Sequence, residues 1–186
     1  MSAPLRTTND EEFTRHEVQA ALEKFDPRKA PGEDALSSEI LLHAFRSFPT
    51  VFTEIYECLR GHFPQQWKRS VILPIVKPGK EGLNEVGKYR PISLINIGGK
   101  ILENLLIDRI NHHLYSNRLL NENQYGFTPQ KSTVDAAMAA KDFAQTHLLQ
   151  SNVVILTSLD VQGAFDAAWW PAILNNLRDF KCPRNL

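Results

Sequence analysis

An apolar run that ends in a carboxylate is the feature that most constrains how this chain can fold. Residues 153–159 read VVILTSL, and Asp160 follows directly. A nearly continuous apolar run of this length predicts a strand that is covered on both faces. The end of such a strand would hold the Asp160 carboxylate rigidly. Two roles suit a carboxylate there: it can cap the helix that follows, or bind Mg²⁺, which prefers oxygen ligands.

The remaining segments are mostly helical in pattern. Thr14 and Glu17 fit a capping box before a helix that ends at Asp26-Pro27. Further helices are predicted at about 38–47, 50–61, 98–116, 132–149 and 164–180. Residues 70–76 predict an edge strand, since Pro74 cannot donate to a sheet, and 91–96 are extended or turn-like. This order is typical of an α+β or α/β chain with too few strands for a full sheet, and α+β is the class we adopt.

The charge is unevenly distributed along the chain, although the formal net charge is zero. Residues 1–62 carry 7 basic and 11 acidic side chains, residues 63–131 carry 10 and 5, and residues 132–186 carry 4 and 5. A basic middle third suits either a polyanion-binding surface or a solvated loop. The two cysteines, Cys58 and Cys182, lack metal-ligand spacing and predict reduced thiols. No membrane span or signal peptide is evident, which predicts a soluble intracellular protein.

Four segments resemble, in order, the reverse transcriptases of non-LTR (LINE-type) retrotransposons. The segments are Lys-Ala-Pro-Gly-Glu-Asp at 29–34, Tyr-Arg-Pro-Ile-Ser-Leu at 89–94, Asn-Gln-Tyr-Gly-Phe at 123–127 with Ser-Thr-Val-Asp at 132–135, and Asp-Val-Gln-Gly-Ala-Phe-Asp at 160–166. No single segment is specific, and the first is physically only a turn. Their joint order across residues 26–175 carries the resemblance. It implies a right-hand polymerase with a fingers subdomain and the first palm strand and helix, and hence an incomplete sheet.

The resemblance also implies roles for individual residues. Asp160 would be the catalytic carboxylate and would bind Mg²⁺, with Mn²⁺ as an alternative ion, together with the backbone of Val161. Phe165 would act as the steric gate against a ribose 2′-hydroxyl. Lys77 or Lys80, with Arg90, would contact the phosphates of the incoming nucleotide. Template contacts fall on a loop, and the residues are Gln124, Gly126, Phe127 and Lys131. Lys131 would replace an arginine that the family usually has where this chain has Thr128.

The implied partners are an RNA template, a DNA primer and deoxynucleoside triphosphates, joined by two-metal phosphoryl transfer, and the implied place of action is the nucleus. The implied domains are an N-terminal extension with the first helix (1–25), a fingers-like region (26–150) and the start of a palm (151–186). The family supplies further carboxylates from an x-Asp-Asp motif, which nothing after Asp166 provides here. We therefore expect this chain alone to be inactive.

Two other interpretations remain open. An apolar strand that ends in Asp also resembles a Walker B strand, but Gly98-Gly99-Lys100 followed by Ile101 is only a partial P-loop. The other alternative is a non-catalytic, retroelement-derived module that binds RNA or serves in an interaction.

Overall fold

The computed structural model describes residues 11–28, 30–79, 86–161, 163–165 and 167–183. These residues fall into two compact units. The first comprises the described residues up to His112 together with Cys182 and Pro183, and the second covers His113–Lys181. Lys80, Gln162 and Asp166 lie outside the described residues. Both cysteines are free thiols. No helix in the described part of the chain is long and apolar enough to cross a membrane.

Six α-helices are present in the described residues. They are α1 (Arg15–Glu23), α2 (Ser38–Ser47), α3 (Pro49–Leu59), α4 (Ile97–Ser116), α5 (Thr133–Leu149) and α6 (Trp170–Asp179). Their starts follow from local chemistry. Thr14 and Ser132 each form a complete capping box, with Glu17 and Asp135 as the reciprocal partners. Helices α3 and α6 instead have a proline in the first turn, where its missing N–H costs nothing.

The sheet is a single antiparallel hairpin of β1 (Ser70–Val76) and β2 (Tyr89–Ile95). The predicted strand at 70–76 is confirmed, and its partner β2 contains most of the segment 91–96 that was predicted to be extended or turn-like. Pro74 lies opposite Pro91. The Lys77 N–H donates to the Lys88 carbonyl at 2.8 Å, so these two residues form a hydrogen-bonded pair. Hydrogen-bonded and non-hydrogen-bonded pairs alternate along an antiparallel ladder, and the proline pair, three positions away, is therefore non-hydrogen-bonded. Neither missing N–H therefore removes a ladder bond.

A hydrophobic core lies in the first unit, where α1 packs on α2 and α3 and the start of α4 completes the interior. The helical spacing predicted for Val18, Ala21 and Leu22 is confirmed, since all three are buried. Gly98 and Gly99, the partial P-loop, are buried within α4. The core residues are Phe13, Val18, Ala21, Leu22, Phe45, Tyr56, Ile97, Ile101, Leu102 and Leu105.

The structure contradicts the predicted strand over 153–159. No strand of the described residues pairs with this segment, which has no regular secondary structure. Its apolar side chains are open to solvent, as Ile155 and Leu156, each 85% exposed, illustrate. The physical reason is that a strand requires hydrogen bonds from a neighbour, which an apolar sequence cannot supply by itself.

Two helix boundaries also differ from prediction. The last helix begins at Trp170 rather than at residue 164, because a start at 164 would place Pro171 inside the helix, where its ring clashes with the preceding turn. Residues before it form turns instead, with the Ala167 N–H donating to the Gly163 carbonyl at 2.8 Å. Helix α1 ends at Glu23, slightly before the expected Asp26-Pro27 stop.

Candidate functional site

The hairpin carries two of the predicted phosphate-binding residues near its loop end. Lys77 follows β1 directly, and its Nζ donates to the Gly87 carbonyl at 2.7 Å. Arg90 lies opposite Ile75 in the register and is exposed. Since facing residues of an antiparallel pair share one side of the sheet, alternation places Lys77, Ile75 and Arg90 on the same side. Lys80, the other candidate lysine, lies outside the described residues.

The predicted template-binding residues lie on a loop that is held by its own hydrogen bonds. Gln124 Nε2 donates to the Gly126 carbonyl at 2.9 Å. Lys131 Nζ donates to the Glu122 carbonyl and lies 5.1 Å from the centre of the Tyr125 ring. The ammonium of Lys131 is therefore engaged within its own loop. This arrangement gives the loop a definite shape and leaves Gln124 and Gly126 exposed.

Phe127 adopts an unusual backbone conformation in the same loop. Its φ is +57°, in the left-handed region that bulky residues rarely adopt. The Tyr115 hydroxyl donates to the Phe127 carbonyl at 3.2 Å, which helps hold this geometry. The side chain is 94% exposed. Strained positions of this kind are concentrated at functional sites, because the surrounding structure must maintain them.

Phe127 also contacts Phe165, a pairing that the sequence analysis did not anticipate. The two rings meet edge to face, with centroids 6.5 Å apart at 81°. Both residues belong to the second unit, although 37 intervening positions separate them in the chain. The structure thus brings a predicted template residue next to the predicted sugar gate. The sequence contains no signal that identifies this pair, since aromatic residues at this separation are common.

Asp160 and Val161 are exposed on the segment that follows residues 153–159. Across the described ranges, no group of three or more His, Cys, Asp or Glu side chains is arranged to hold a metal ion. A carboxylate at Asp160 has the right chemistry for one Mg²⁺ ligand, but a two-ion site needs more ligands than one. The described residues therefore do not complete the predicted metal site.

The Lys-Ala-Pro-Gly-Glu-Asp turn, which looked like no more than a turn, has a specific packing role. A Cβ added at Gly32 would lie 2.6 Å from both the Cα and the backbone N of Asn96, which follows β2. At the other side of this region, a Cβ on Gly98 would lie 2.6 Å from the Trp67 ring. Glycine is required at both places by close approach. The turn, the Trp67-Lys68 segment and the β2–α4 junction thus pack together.

An arginine on α4 organises the N-terminal part of the first unit. Arg109 Nε donates to Glu17 Oε1 at 2.8 Å, and its guanidinium lies 4.5 Å from the centre of the Phe13 ring. Burial by itself raises the pKa of Glu17, but hydrogen bonds from Arg109 and Thr14 and the Arg109 charge outweigh it and lower the pKa to about 2. Sequence analysis missed this residue because its partners lie far away in the chain.

Comparison with known proteins agrees with the segments described above. The family model for reverse transcriptase (RNA-dependent DNA polymerase) matches residues 75–186. The chain is 33% identical, over 92% of its length, to the RNA-directed DNA polymerase from mobile element jockey of Drosophila funebris, of which the match covers 19%. It is 30% identical, over 87% of its length, to the retrovirus-related Pol polyprotein from type-1 retrotransposable element R1 of Bradysia coprophila, of which the match covers 16%. The chain therefore spans less than a fifth of these curated relatives.

Proposed function

Because the chain belongs to the reverse transcriptase (RNA-dependent DNA polymerase) family, we propose that it is part of an enzyme that adds deoxynucleotides to a primer 3′-hydroxyl on an RNA template. The family match over residues 75–186 carries this proposal, because it includes Lys77, the β2 strand with Arg90, and Asp160. The resemblance of the chain to jockey and R1 proteins supports a LINE-type parent. We further propose, from the family resemblance alone, that the parent protein acts in the nucleus.

The candidate residues of the hairpin and of the 121–131 loop would have separate binding roles. Lys77 and Arg90, on one side of the hairpin, would bind the triphosphate, with Arg90 offering a planar fork and Lys77 a point charge. The fingers-like part would extend over 26–150 and the start of the palm over 151–186. On the 121–131 loop, the template would meet exposed backbone and side chains. These residues are Gln124, Gly126, Phe127 and Lys131.

Asp160 and the Val161 backbone would provide ligands to Mg²⁺ or Mn²⁺, and Phe165 would exclude a ribose 2′-hydroxyl. A bound divalent ion would supply charge stabilisation for the phosphoryl group. Since the described residues do not complete a metal site, we assign no reaction step to such an ion in this chain. The exposed, unpaired 153–159 segment also leaves Asp160 without a rigid strand end. The chain by itself is accordingly proposed to be inactive.

Primer extension on an RNA template tests both parts of the proposal. Purified chain with Mg²⁺, template, primer and deoxynucleotides should give no extension, and extension by this chain would refute its inactivity. In a longer polypeptide of the same family that carries residues 1–186 and extends primers, Asp160→Ala should reduce the rate at least ~10³-fold, because a metal-binding carboxylate acts on the transition state. Asp179→Ala, an exposed aspartate at the end of α6, is the matched control.

The non-catalytic alternative makes a different prediction in the same experiment. If the parent chain only binds RNA, Asp160→Ala should leave all measured properties unchanged, while RNA affinity should fall steeply with salt through the basic residues. Salt-dependent RNA binding without any primer extension by longer polypeptides that carry residues 1–186 would favour this alternative, whereas equal extension by Asp160→Ala and Asp179→Ala would exclude a catalytic role for Asp160.

A further inference from the structure

The contact between Phe127 and Phe165 joins the 121–131 loop to the segment that follows Asp160, within the second unit. The ring centroids lie 6.5 Å apart, and the ring planes meet at 81°. This edge-to-face arrangement is favourable, because the positive edge of one aromatic ring faces the negative face of the other. The contact therefore restrains the direction in which each ring points.

The backbone of Phe127 is fixed by hydrogen bonds from inside and outside its loop. The Gln124 side-chain amide donates to the Gly126 carbonyl at 2.9 Å, directly before Phe127. Tyr115, near the end of α4, donates its hydroxyl proton to the Phe127 carbonyl at 3.2 Å. These bonds hold a residue whose φ is +57°, and its ring consequently leaves the loop in a defined direction. Phe127 thus provides a fixed support for a neighbouring side chain.

Phe165 has no comparable anchor among the described residues. The Ala167 N–H donates to the Gly163 carbonyl at 2.8 Å and the Ala168 N–H to the Phe165 carbonyl at 3.4 Å, so the described hydrogen bonds of this turn stay within it. The Phe165 side chain is 86% exposed, and the described ring that meets it is that of Phe127. Without this contact the side chain would be free to occupy other staggered rotamers. Phe127 therefore selects among the orientations of Phe165.

The position of the ring decides whether a steric gate works. The proposed role of Phe165 is to occupy the space that a ribose 2′-hydroxyl needs, and a hydroxyl group adds little volume to the hydrogen that deoxyribose has there. A ring that turns to another rotamer leaves that space open to either sugar. Side chains that carry a function are held by neighbouring residues for this reason.

We propose that Phe127 positions the ring of Phe165 and thereby sets the selectivity for deoxyribose over ribose. This role rests on the proposed polymerase function and deepens it, because a residue of the template loop becomes a determinant of sugar choice. Phe127 acts through the Phe165 ring and needs no contact with the sugar itself. A template contact is compatible with this role, since the Phe127 side chain is 94% exposed even with Phe165 against it.

Fluorine NMR of the chain itself tests the contact. A 4-fluorophenylalanine placed at position 165 reports the surroundings of that ring. Phe127→Ala should shift its resonance, because the neighbouring aromatic ring is lost, whereas Phe127→Tyr keeps the ring and should leave the resonance close to its original position. Phe143→Ala, which removes an exposed aromatic ring of α5, is the matched control. An unchanged resonance in Phe127→Ala would overturn the inference, because the two rings would then not meet in solution.

Sugar selectivity tests the function, in a longer polypeptide of the same family that carries residues 1–186 and extends primers. The measured quantity is kcat/KM for a deoxynucleotide divided by kcat/KM for the ribonucleotide of the same base. Phe165→Val should lower this ratio about 10- to 100-fold. Phe127→Ala should lower it about two- to tenfold, the range that aromatic pairs supply, by admitting the ribonucleotide. Phe127→Tyr should keep the original ratio, and so should the Phe143→Ala control.

The ratio separates positioning from a template contact. Loss of a template contact lowers the efficiency of both nucleotides equally and cancels in the ratio. Because Phe127 acts through Phe165, adding Phe127→Ala to Phe165→Val should lower the ratio no further. An unchanged ratio in Phe127→Ala, or an equal loss from Phe127→Ala with and without Phe165→Val, would overturn the positioning role.

The positioning role and the polymerase function fail in different ways. Primer extension with an unchanged sugar ratio in Phe127→Ala would refute the positioning role alone. Absence of primer extension by the unaltered longer polypeptide would refute the polymerase function and, with it, the role in sugar selection, whatever the NMR spectra show of the ring contact.

Discussion

The two units of the chain differ in what their apolar residues do. In the first unit, ten hydrophobic residues form a buried core: Phe13, which precedes α1, and nine residues of α1, α2, α3 and α4. In the second, no described residue from His113 to Lys181 is buried, and α5 and α6 bury nothing. Yet both units contain apolar side chains at helical spacing and a complete capping box. Local signals are therefore equivalent, and only the presence of neighbours to pack against separates the two units.

This contrast shows that a family signature and a stable fold are separate properties. The segment with the sharpest functional pattern, residues 153–161, has no regular secondary structure. By contrast the Lys-Ala-Pro-Gly-Glu-Asp turn, which has no chemistry of its own, packs through Gly32 against the buried residue Asn96. An apolar strand can bury its side chains only against partners, and within the described residues the second unit supplies none to this segment.

Hydrogen exchange should give the largest difference between the units. Amides of Ile101 and Leu102 in the core should exchange only through global unfolding, whereas those of Ile155 and Leu156 should exchange like an unstructured peptide. Because domain stabilities are about 5–15 kcal/mol, the two rates should differ at least ~10³-fold. Exchange measured residue by residue by NMR checks this. Comparable protection in both segments would mean that 153–159 is paired in solution and that the contrast is wrong.

Truncation of a leucine should have very different effects in the two units. Leu102→Ala should lower the free energy of unfolding by about 2–5 kcal/mol, because it removes buried methyl groups and leaves a cavity. Leu149→Ala, at a position that is 88% exposed, should change it by less than about 0.5 kcal/mol. Urea unfolding followed by circular dichroism gives both values. Ile101→Val, which should cost about 0.5–1.5 kcal/mol, serves if Leu102→Ala does not fold.

A methyl group at Gly32 tests the packing of the signature turn. Gly32→Ala should cost about 1–3 kcal/mol, because the new Cβ would meet backbone atoms of Asn96 that cannot move independently. At Gly87, nothing lies within 4 Å of an added Cβ, so Gly87→Ala is the control and should be close to neutral. Similar unfolding midpoints for both variants in urea would show that the turn does not pack closely against the β2–α4 junction.

Acid should weaken the first unit through Glu17. Its pKa in the folded chain, about 2, is below its ordinary value, so its stabilisation is present above about pH 4.5 and is lost as the pH falls toward 2. Because solvent partly screens this pair, the loss in the free energy of unfolding should be only about 1 kcal/mol. Unfolding midpoints between pH 5 and pH 2.5 should therefore fall less in Glu17→Gln than in the unaltered chain. A Glu54→Gln variant controls for general acid effects, and equal slopes in all three proteins would exclude this role.

Local sequence chemistry determined much of this protein. The capping boxes at Thr14 and Ser132, the helices they begin, the β1 strand and the family itself could all be inferred, because each depends on residues close together in the chain. The predicted start of α6 was wrong because a single residue, Pro171, outweighed the general helical pattern around it. The roles assigned to Asp160, Phe165 and the other candidate site residues remain predictions.

The burial of apolar segments and the contacts between distant side chains depend on the tertiary fold. The Arg109–Glu17 pair, the Phe127–Phe165 contact and the fit of Gly32 against Asn96 join residues that are 92, 38 and 64 positions apart. Sequence pattern sets the conformation that each segment prefers, since propensity and capping act within a few residues. Burial and contact depend on partners that the whole fold brings together. Residues 153–159 have no pairing strand among the described residues, and the strand that the sequence predicts is therefore absent there.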